Sequence, residues 1–323
     1  MTDIDVPPPE DIIRYAKDPT TRIATITIDR PDQLNATTIG ARRRYGDLLF
    51  KASIDDDVKV LVVRGVGDHL GTGADLDELM AKQEAGTAAY EEFGLTEDDD
   101  VSMPGPRSFR SGASMTHWYG NTRSGCRSLQ DFKKISILEV KGYCYGWHFY
   151  QAADADLVIS SDDALFGHPA FRYVGYAPRM WQWAMMMGLR KFQEMVFTGR
   201  PFTAQQMYEC NFVNSVVPRD QLEGEVEKYA LACSRTRPTD TVFMQKVFFE
   251  IMKQHQGEYM GSLLSAWLET MGPSLRSDDD GARTRLTRET MEAGLNNTVK
   301  DNDSRFPPEW RLSRSGRRPP QSD

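Results

Sequence analysis

Histidine and cysteine are both scarce in this chain, five and four among 323 residues. Nothing about their placement has the short fixed spacing of a zinc or iron–sulfur site, so no metal is expected. Cys126, Cys144, Cys210 and Cys233 read instead as reduced, mostly buried thiols. Missing too is any apolar run near the roughly 18 residues that a membrane-spanning helix requires. Nor is positive charge in excess: the net charge is −8, which argues against a general affinity for nucleic acid or acidic membranes. Arg311, Arg314, Arg317 and Arg318 cluster near the C-terminus and read as solvating charge. Met1 to Glu10 is acidic and proline-rich, unlike a secretory signal or transit peptide, and a cytoplasmic protein is expected.

What the chain does have is the material for a core. Its apolar fraction is 40% and its charged fraction 27%, the balance of a globular protein. Arg22 to Ile28 is rich in β-branched residues, and Ile26 and Ile28 alternate with Thr25 and Thr27, which is strand periodicity that Pro31 ends. Ile39 to Ser53 has helical spacing. Lys59 to Arg64 is apolar through its middle, as a strand covered on both faces must be. A loop from Gly65 to Gly73 and a helix from Ala74 to about Ala85 follow, a layered strand–helix rhythm.

Residues 86–112 break that rhythm with an acidic run at Glu97 to Asp100 and with Pro104 and Pro106. They read as an inserted loop or lid, with a disordered segment as the alternative. Helical spacing resumes over Ser114 to Phe132. Strands are expected at Ile135 to Val140 and Leu157 to Ser160, with a helix beginning near His148 between them. Beyond Thr203 the pattern is helical over Ala204–Glu209, Gln221–Cys233, Pro238–Gln254 and Glu258–Glu269. The division that results is an N-terminal extension over 1–20, a core over 21–203, a helical region over 204–272 and a charged extension over 273–323. Within that extension, a helical patch is expected around Thr284 to Leu295. Phe306-Pro-Pro-Glu-Trp310 reads as an anchored tail.

Several segments, in order, resemble the crotonase (enoyl-CoA hydratase/isomerase) superfamily over about residues 20–270. Ile26-Thr-Ile-Asp-Arg-Pro-Asp-Gln-Leu-Asn-Ala36 is similar to its first strand and turn. Val60 through Gly73-Ala-Asp-Leu76 resembles its second strand and the loop after it. Leu138 to Tyr143, Asp154 to Ser160, Ala164-Leu-Phe-Gly-His-Pro169, Thr198 to Met207 and Asn211 to Pro218 resemble successive later motifs. The fold this implies is α/β, a crotonase-like ββα spiral core with a C-terminal helical region. Homotrimers or dimers of trimers are implied as well.

The resemblance implies an acyl-CoA substrate, with coenzyme A as its thioester carrier and no further cofactor. It also implies an oxyanion hole of two backbone N–H groups, at Ala74 and Trp147, that holds the thioester oxygen as charge builds there. Contacts to the CoA portion are implied at Asn35, Ala36 and Gly73, and to the acyl portion around Asp75, His148, Arg172, Tyr173 and Tyr176. Asp75 has a plainer role open to it, as the N-cap of the following helix.

The chain departs from the family pattern in two ways. Trp147 and His148 stand where glycines are usual. The two glutamates of the family's hydratases fall at Tyr150 and Ala170, so both carboxylates are absent. Of the groups left near the site, Tyr150 and His168 are the acid–base candidates. Arg172 and Arg179 are candidates for holding a substrate carboxylate. The leading expectation is an acyl-CoA enzyme for a bulky, cyclic or carboxylated acyl group. A hydratase with surrogate acid–base groups and a non-catalytic CoA-binding relative are the alternatives.

Overall fold

The computed structural model describes residues 6–85, 88–96, 98–105, 108–120, 126–173, 175–271 and 295–317. A short helix, α1 (Pro9–Ile12), leads into β1 (Ile13–Asp18), β2 (Ile23–Ile28) and α2 (Ile39–Ile54). Next come β3 (Val60–Gly65), α3 (Leu76–Ala85), α4 (Ala88–Phe93), α5 (Phe109–Tyr119) and β4 (Ile135–Val140). The middle of the chain forms β5 (Tyr143–Tyr145), α6 (Trp147–Asp154), β6 (Leu157–Ser161) and β7 (Leu165–Gly167). After it come α7 (Met180–Met187), α8 (Leu189–Thr198), β8 (Phe202–Thr203), α9 (Ala204–Glu209) and β9 (Ser215–Val217). Helices α10 (Leu222–Arg235), α11 (Thr239–His255), α12 (Glu258–Met271) and α13 (Leu295–Ser304) complete the described chain.

Six strands pair in the order β1-β2-β3-β4-β6-β9, and all neighbours run parallel except β1 and β2. A second sheet has the order β5-β7-β8. The continuous apolar run of β3 has a structural reason: it feeds two cores. Val60 and Val62 join Ile137, Ile159 and the α10 residues Leu222, Val226 and Ala230 on one side. Leu61 and Val63 join Leu138, Tyr45 and Trp147 on the other. Because side chains alternate along a strand, one apolar segment covers both faces. Helix α2 starts where Thr38 accepts a hydrogen bond from Ala41 N–H at 3.1 Å, and α9 starts with a reciprocal Thr203–Gln206 capping box.

The implied fold is the one observed, with two local additions. Residues placed in an N-terminal extension instead supply β1, whose Ile13 to Asp18 pair antiparallel with Ile28 to Ile23. Within the segment read as an insertion, α4 forms and sends Glu92 to Arg42 of α2 at 2.5 Å, both side chains mostly buried. Most of the helical patch expected around Thr284 to Leu295 lies outside the described residues. Among the described residues no helix is long and apolar enough to cross a membrane.

The tail after α13 folds back onto the second sheet. Tyr145 Oη donates to Leu312 O at 2.8 Å, and Arg314 N–H donates to Tyr143 Oη at 2.7 Å. The Arg172 guanidinium lies over the Phe306 ring at 3.6 Å and Arg200 lies over Trp310 at 5.7 Å. Asp303 anchors the turn, accepting from Arg172 at 2.9 Å and from Leu312 N–H at 2.6 Å. Asp303→Ala leaves a buried arginine without its carboxylate, which costs about 3 kcal/mol. Trypsin should then cut at Arg311 or Arg314 faster than in the parent, read by mass spectrometry. Unchanged cleavage would mean that Asp303 does not hold the tail.

Candidate active site

The loop after β3 and the turn after β5 meet backbone to backbone. Gly71 N–H donates to Tyr143 O at 2.8 Å, and Tyr145 N–H returns a bond to Gly71 O at 3.0 Å. On its other side the loop pairs with Thr37, whose N–H donates to Gly73 O while Asp75 N–H donates to Thr37 O, both at 2.9 Å. This parallel bridge uses the groups flanking Ala74, so Ala74's own N–H points to the side away from Thr37. Trp147, the first residue of α6, carries its N–H at the positive end of the helix dipole.

Two glycines let these segments close on each other. A Cβ on Gly73, at φ +112°, would stand 3.3 Å from Gly146 Cα and 3.4 Å from Trp147 N. Gly146 has φ 56° and ψ −123°, a conformation that side-chain-bearing residues strongly avoid, and its own Cβ would lie 3.2 Å from Gly73 Cα. The need for glycine thus falls at Gly146, one residue before the position the family resemblance marked. That frees Trp147 to be bulky: its indole is buried edge-on against Tyr45 at 4.9 Å.

His148 locks the seam. Its ring is fully buried, and Nδ1 accepts a hydrogen bond from Gly73 N–H at 3.0 Å. Burial, opposed in part by the Tyr145 carbonyl, drives its pKa down to about 3, so at neutral pH the ring is uncharged. With Nδ1 accepting, the proton is assigned to Nε2. His148 therefore holds the loop rather than exchanging protons with a substrate.

The acid–base candidates lie together, Tyr150 one turn into α6 and His168 just after β7. Tyr150 and His168 are in ring contact at 5.5 Å, walled by Trp183 at 5.4 and 5.6 Å respectively, with Phe171 5.2 Å from His168. Trp183 itself is fixed by an indole N–H bond to Phe149 O at 3.0 Å. Burial pushes the Tyr150 phenol well above its ordinary pKa and pulls His168 down to about 3. Both His168 nitrogens are buried without a partner among the described residues. At neutral pH this ring is a hydrogen-bonding group and a feeble base.

Other expected positions are already engaged by the protein. Arg172 donates from Nε to Gly199 O at 2.9 Å, from Nη1 to Asp303 and from Nη2 to Trp310 O at 2.7 Å. It is thereby committed to the tail and turned away from an acyl carboxylate. Arg179 is fully buried against Asp154, Ser262 and Glu258, which likewise withdraws it from substrate. Asp75 caps α3, accepting from Glu78 N–H at 3.1 Å and from Arg30 at 2.6 Å. Asn35 is buried with Oδ1 accepting from Arg30 N–H and Nδ2 donating to Val66 O and His69 O, so it shapes the loop that carries Gly73. Ala36 O accepts from Arg30 at 3.3 Å. Tyr173 Oη is buried without a partner among the described residues, and Tyr176 is half-buried nearby in sequence. Ala170, in the turn Pro169–Arg172, offers no functional group.

One group escaped the sequence reading. Glu269, near the end of α12, is close enough to Tyr150, Tyr119 and Cys126 to raise their pKa values by its charge. Its Oε2 is buried without a partner among the described residues, and burial pushes its own pKa up to about 7. The available signal was a carboxylate in line with the buried stripe Glu258, Ser262, Ser265 and Ala266 of α12.

A spiral of parallel strands and helices thus brings two backbone segments together at Gly73 and Gly146. The family described as enoyl-CoA hydratase/isomerase matches residues 109–261. In sequence and fold the chain is similar to the crotonase (enoyl-CoA hydratase/isomerase) superfamily. It is 26% identical to a mevalonyl-coenzyme A hydratase of Aspergillus fumigatus over 77% of this chain and 83% of that protein. It is 29% identical to a hydroxycinnamoyl-CoA hydratase-lyase of Pseudomonas fluorescens over 62% of this chain and 65% of that one. Among solved structures, a probable enoyl-CoA hydratase from Mycobacterium thermoresistibile is 26% identical with a TM-score of 0.64, covering 80% of this chain and 94% of its own. The fold of an enoyl-CoA hydratase from Mycobacterium smegmatis matches with a TM-score of 0.73 at 21% identity, over 91% and 94% of the two chains.

Proposed function

We propose that this protein is an acyl-CoA enzyme in which the thioester oxygen is held between the N–H groups of Ala74 and Trp147. The closure of the Gly73 and Gly146 backbones carries the reading. It brings two segments bearing those N–H groups to one place, one of them at a helix N-terminus. Preorganised donors of this kind act on charge that develops as the acyl group becomes an enolate or tetrahedral species, and each is worth about 3 kcal/mol. Coenzyme A is the carrier of the substrate, and no further cofactor is invoked.

The acyl side is aromatic: Tyr150, His168, Phe171 and Trp183 wall it. With Arg172 and Arg179 spent on internal carboxylates, a bulky or cyclic acyl group suits this wall better than a carboxylated one. The curated relatives act on mevalonyl- and hydroxycinnamoyl-CoA by name, which accords with such a substrate. A hydratase with surrogate groups is the second reading, favoured by the contact between Tyr150 and His168. Assembly into trimers is supported by exposed Phe243, Met244, Phe248 and Phe249 on α11, with Met260 and Leu264 on α12.

The test is mass spectrometry of the protein incubated with short, long and cyclic 2-enoyl-CoA esters. A water adduct on an intact thioester supports hydration, and loss or rearrangement of the acyl group supports the broader reading. A folded protein that binds CoA and changes none of them argues for a binding module. One that does not bind CoA removes the proposal.

A further inference from the structure

Helix α12 carries two carboxylates on one face. Glu258 and Glu269 are eleven residues apart, about three turns, so they project in nearly the same direction. Their surroundings differ. Glu258 is fully buried, yet it accepts two bonds from Arg127 at 2.9 and 3.0 Å and one from Ser262 at 2.7 Å, with Arg179 at 3.6 Å. Burial works against its charge, but the arginines more than offset that and its pKa is lowered.

Glu269 Oε2, by contrast, is buried with no hydrogen-bond partner among the described residues. The titratable groups facing it are Tyr119 of α5, Cys126 and Tyr150 of α6. Arg42, whose charge acts on the same Tyr119, Cys126 and Tyr150, is already paired with Glu92, which Trp118 also binds at 3.2 Å. Helix α12 packs along α5, fixed there by a 2.8 Å hydrogen bond between the adjacent Thr270 and Thr116. A buried carboxylate oxygen without a hydrogen bond is costly, and a protein has no structural use for one when glutamine or leucine would fit. Its neighbour Tyr150 stands where the hydratases of this superfamily carry a glutamate, and the Tyr150 ring touches His168.

We propose that the Glu269 carboxyl, delivered from α12 rather than from α6, is the group that carries a proton to and from the α-carbon of the bound thioester. The inference rests on the acyl-CoA reading. The carboxylate takes the α-proton and forms an O–H bond. The C–H electron pair moves toward the thioester carbonyl, and the resulting enolate oxygen rests on the Ala74 and Trp147 N–H groups. Return of the proton to carbon restores the carboxylate, so no other reactant is consumed. A group that titrates near neutrality is matched to both directions.

Exchange of α-hydrogens in hexanoyl-CoA dissolved in D2O reads this step without knowledge of the natural acyl group. The wild-type rate is expected to rise with pH through about 7, following Glu269. Glu269→Gln should lower the rate at pH 8 by about 100-fold or more, with hexanoyl-CoA affinity unchanged. Glu269→Asp should recover part of it. Glutamine keeps the shape and removes a buried charge. The loss of thermal stability that Glu269 contributes as pH rises from the free-carboxyl value toward 7 should therefore be absent in Glu269→Gln. A merely structural glutamate would not move the exchange midpoint. Exchange by Glu269→Gln at the wild-type rate, or wild-type protein that binds hexanoyl-CoA and exchanges nothing, overturns the inference alone. Failure to bind any acyl-CoA overturns the acyl-CoA reading together with it.

Discussion

Arg179→Met is expected to lower the unfolding free energy by about 3–5 kcal/mol, the range for leaving one member of a buried ion pair alone. Four charged side chains are involved: Arg179, Asp154 and Glu258 are fully buried, and Arg127 almost so. They join the C-terminal end of α6, the start of α7 and the first turn of α12. Two cations balance two anions, so loss of one leaves a net charge in the core. Burial raises the Asp154 pKa, and Arg179 and Arg127 offset this only in part, so the aspartate has little reserve against losing a partner. The double replacement Arg179→Met with Asp154→Leu should recover most of the loss, because apolar isosteres remove the desolvation cost together with the attraction. Urea denaturation of the two variants and the parent decides it. A single variant within about 0.5 kcal/mol of the parent would show that the network contributes little.

The second large effect concerns the seam. Gly73→Ala should lower kcat by about 10²–10³-fold, the scale of losing one oxyanion donor, while CoA affinity stays near the parent's. The added methyl meets Gly146 Cα, Trp147 N and Tyr145 O at 3.3 to 3.4 Å, all three of them backbone atoms that cannot swing aside. The positive φ adds strain of about 1–3 kcal/mol, so a fall in melting temperature is expected too. Ala74→Pro separates the two causes: it removes the N–H itself, and proline's fixed φ is the remaining constraint. If Gly73→Ala instead raised KM alone with kcat intact, the seam would serve binding and not the reaction.

The parts of this fold that sequence reveals are those with a strong period. Strands β2, β3, β4 and β6 fall where alternating or continuous apolar residues put them, because two cores need both faces of the sheet. The docked tail was legible as well, in Phe306 and Trp310 flanking prolines. Strand β1 was not: only Ile13 is fully buried and no regular apolar alternation follows it, so pairing with β2 makes it a strand, not its own pattern. Helix α4 hides in an acidic stretch because its key contact is an ion pair to Arg42, fifty positions earlier.

Of the candidate site, the sequence offers positions and not partners. Motifs propose Ala74, Trp147, Tyr150 and His168, but pairing partners decide what a charged residue is free to do, and those are distant in sequence. Arg172 is engaged by Asp303 and Arg179 by Asp154 and Glu258. Glu269 escaped for the opposite reason: its Oε2 is singled out by having no hydrogen-bond partner among the described residues.

The central claim, that a thioester oxygen rests between the Ala74 and Trp147 N–H groups, is tested most directly by the carbonyl itself. Infrared difference spectroscopy of bound 2-enoyl-CoA, with and without 13C at the thioester carbon, isolates that stretch. Two hydrogen bonds from a dry, preorganised site polarise the carbonyl, so the band should move to lower frequency on binding and move back in Gly73→Ala. A bound thioester whose carbonyl band stays where it is in water, or shifts equally in Gly73→Ala, would contradict the account.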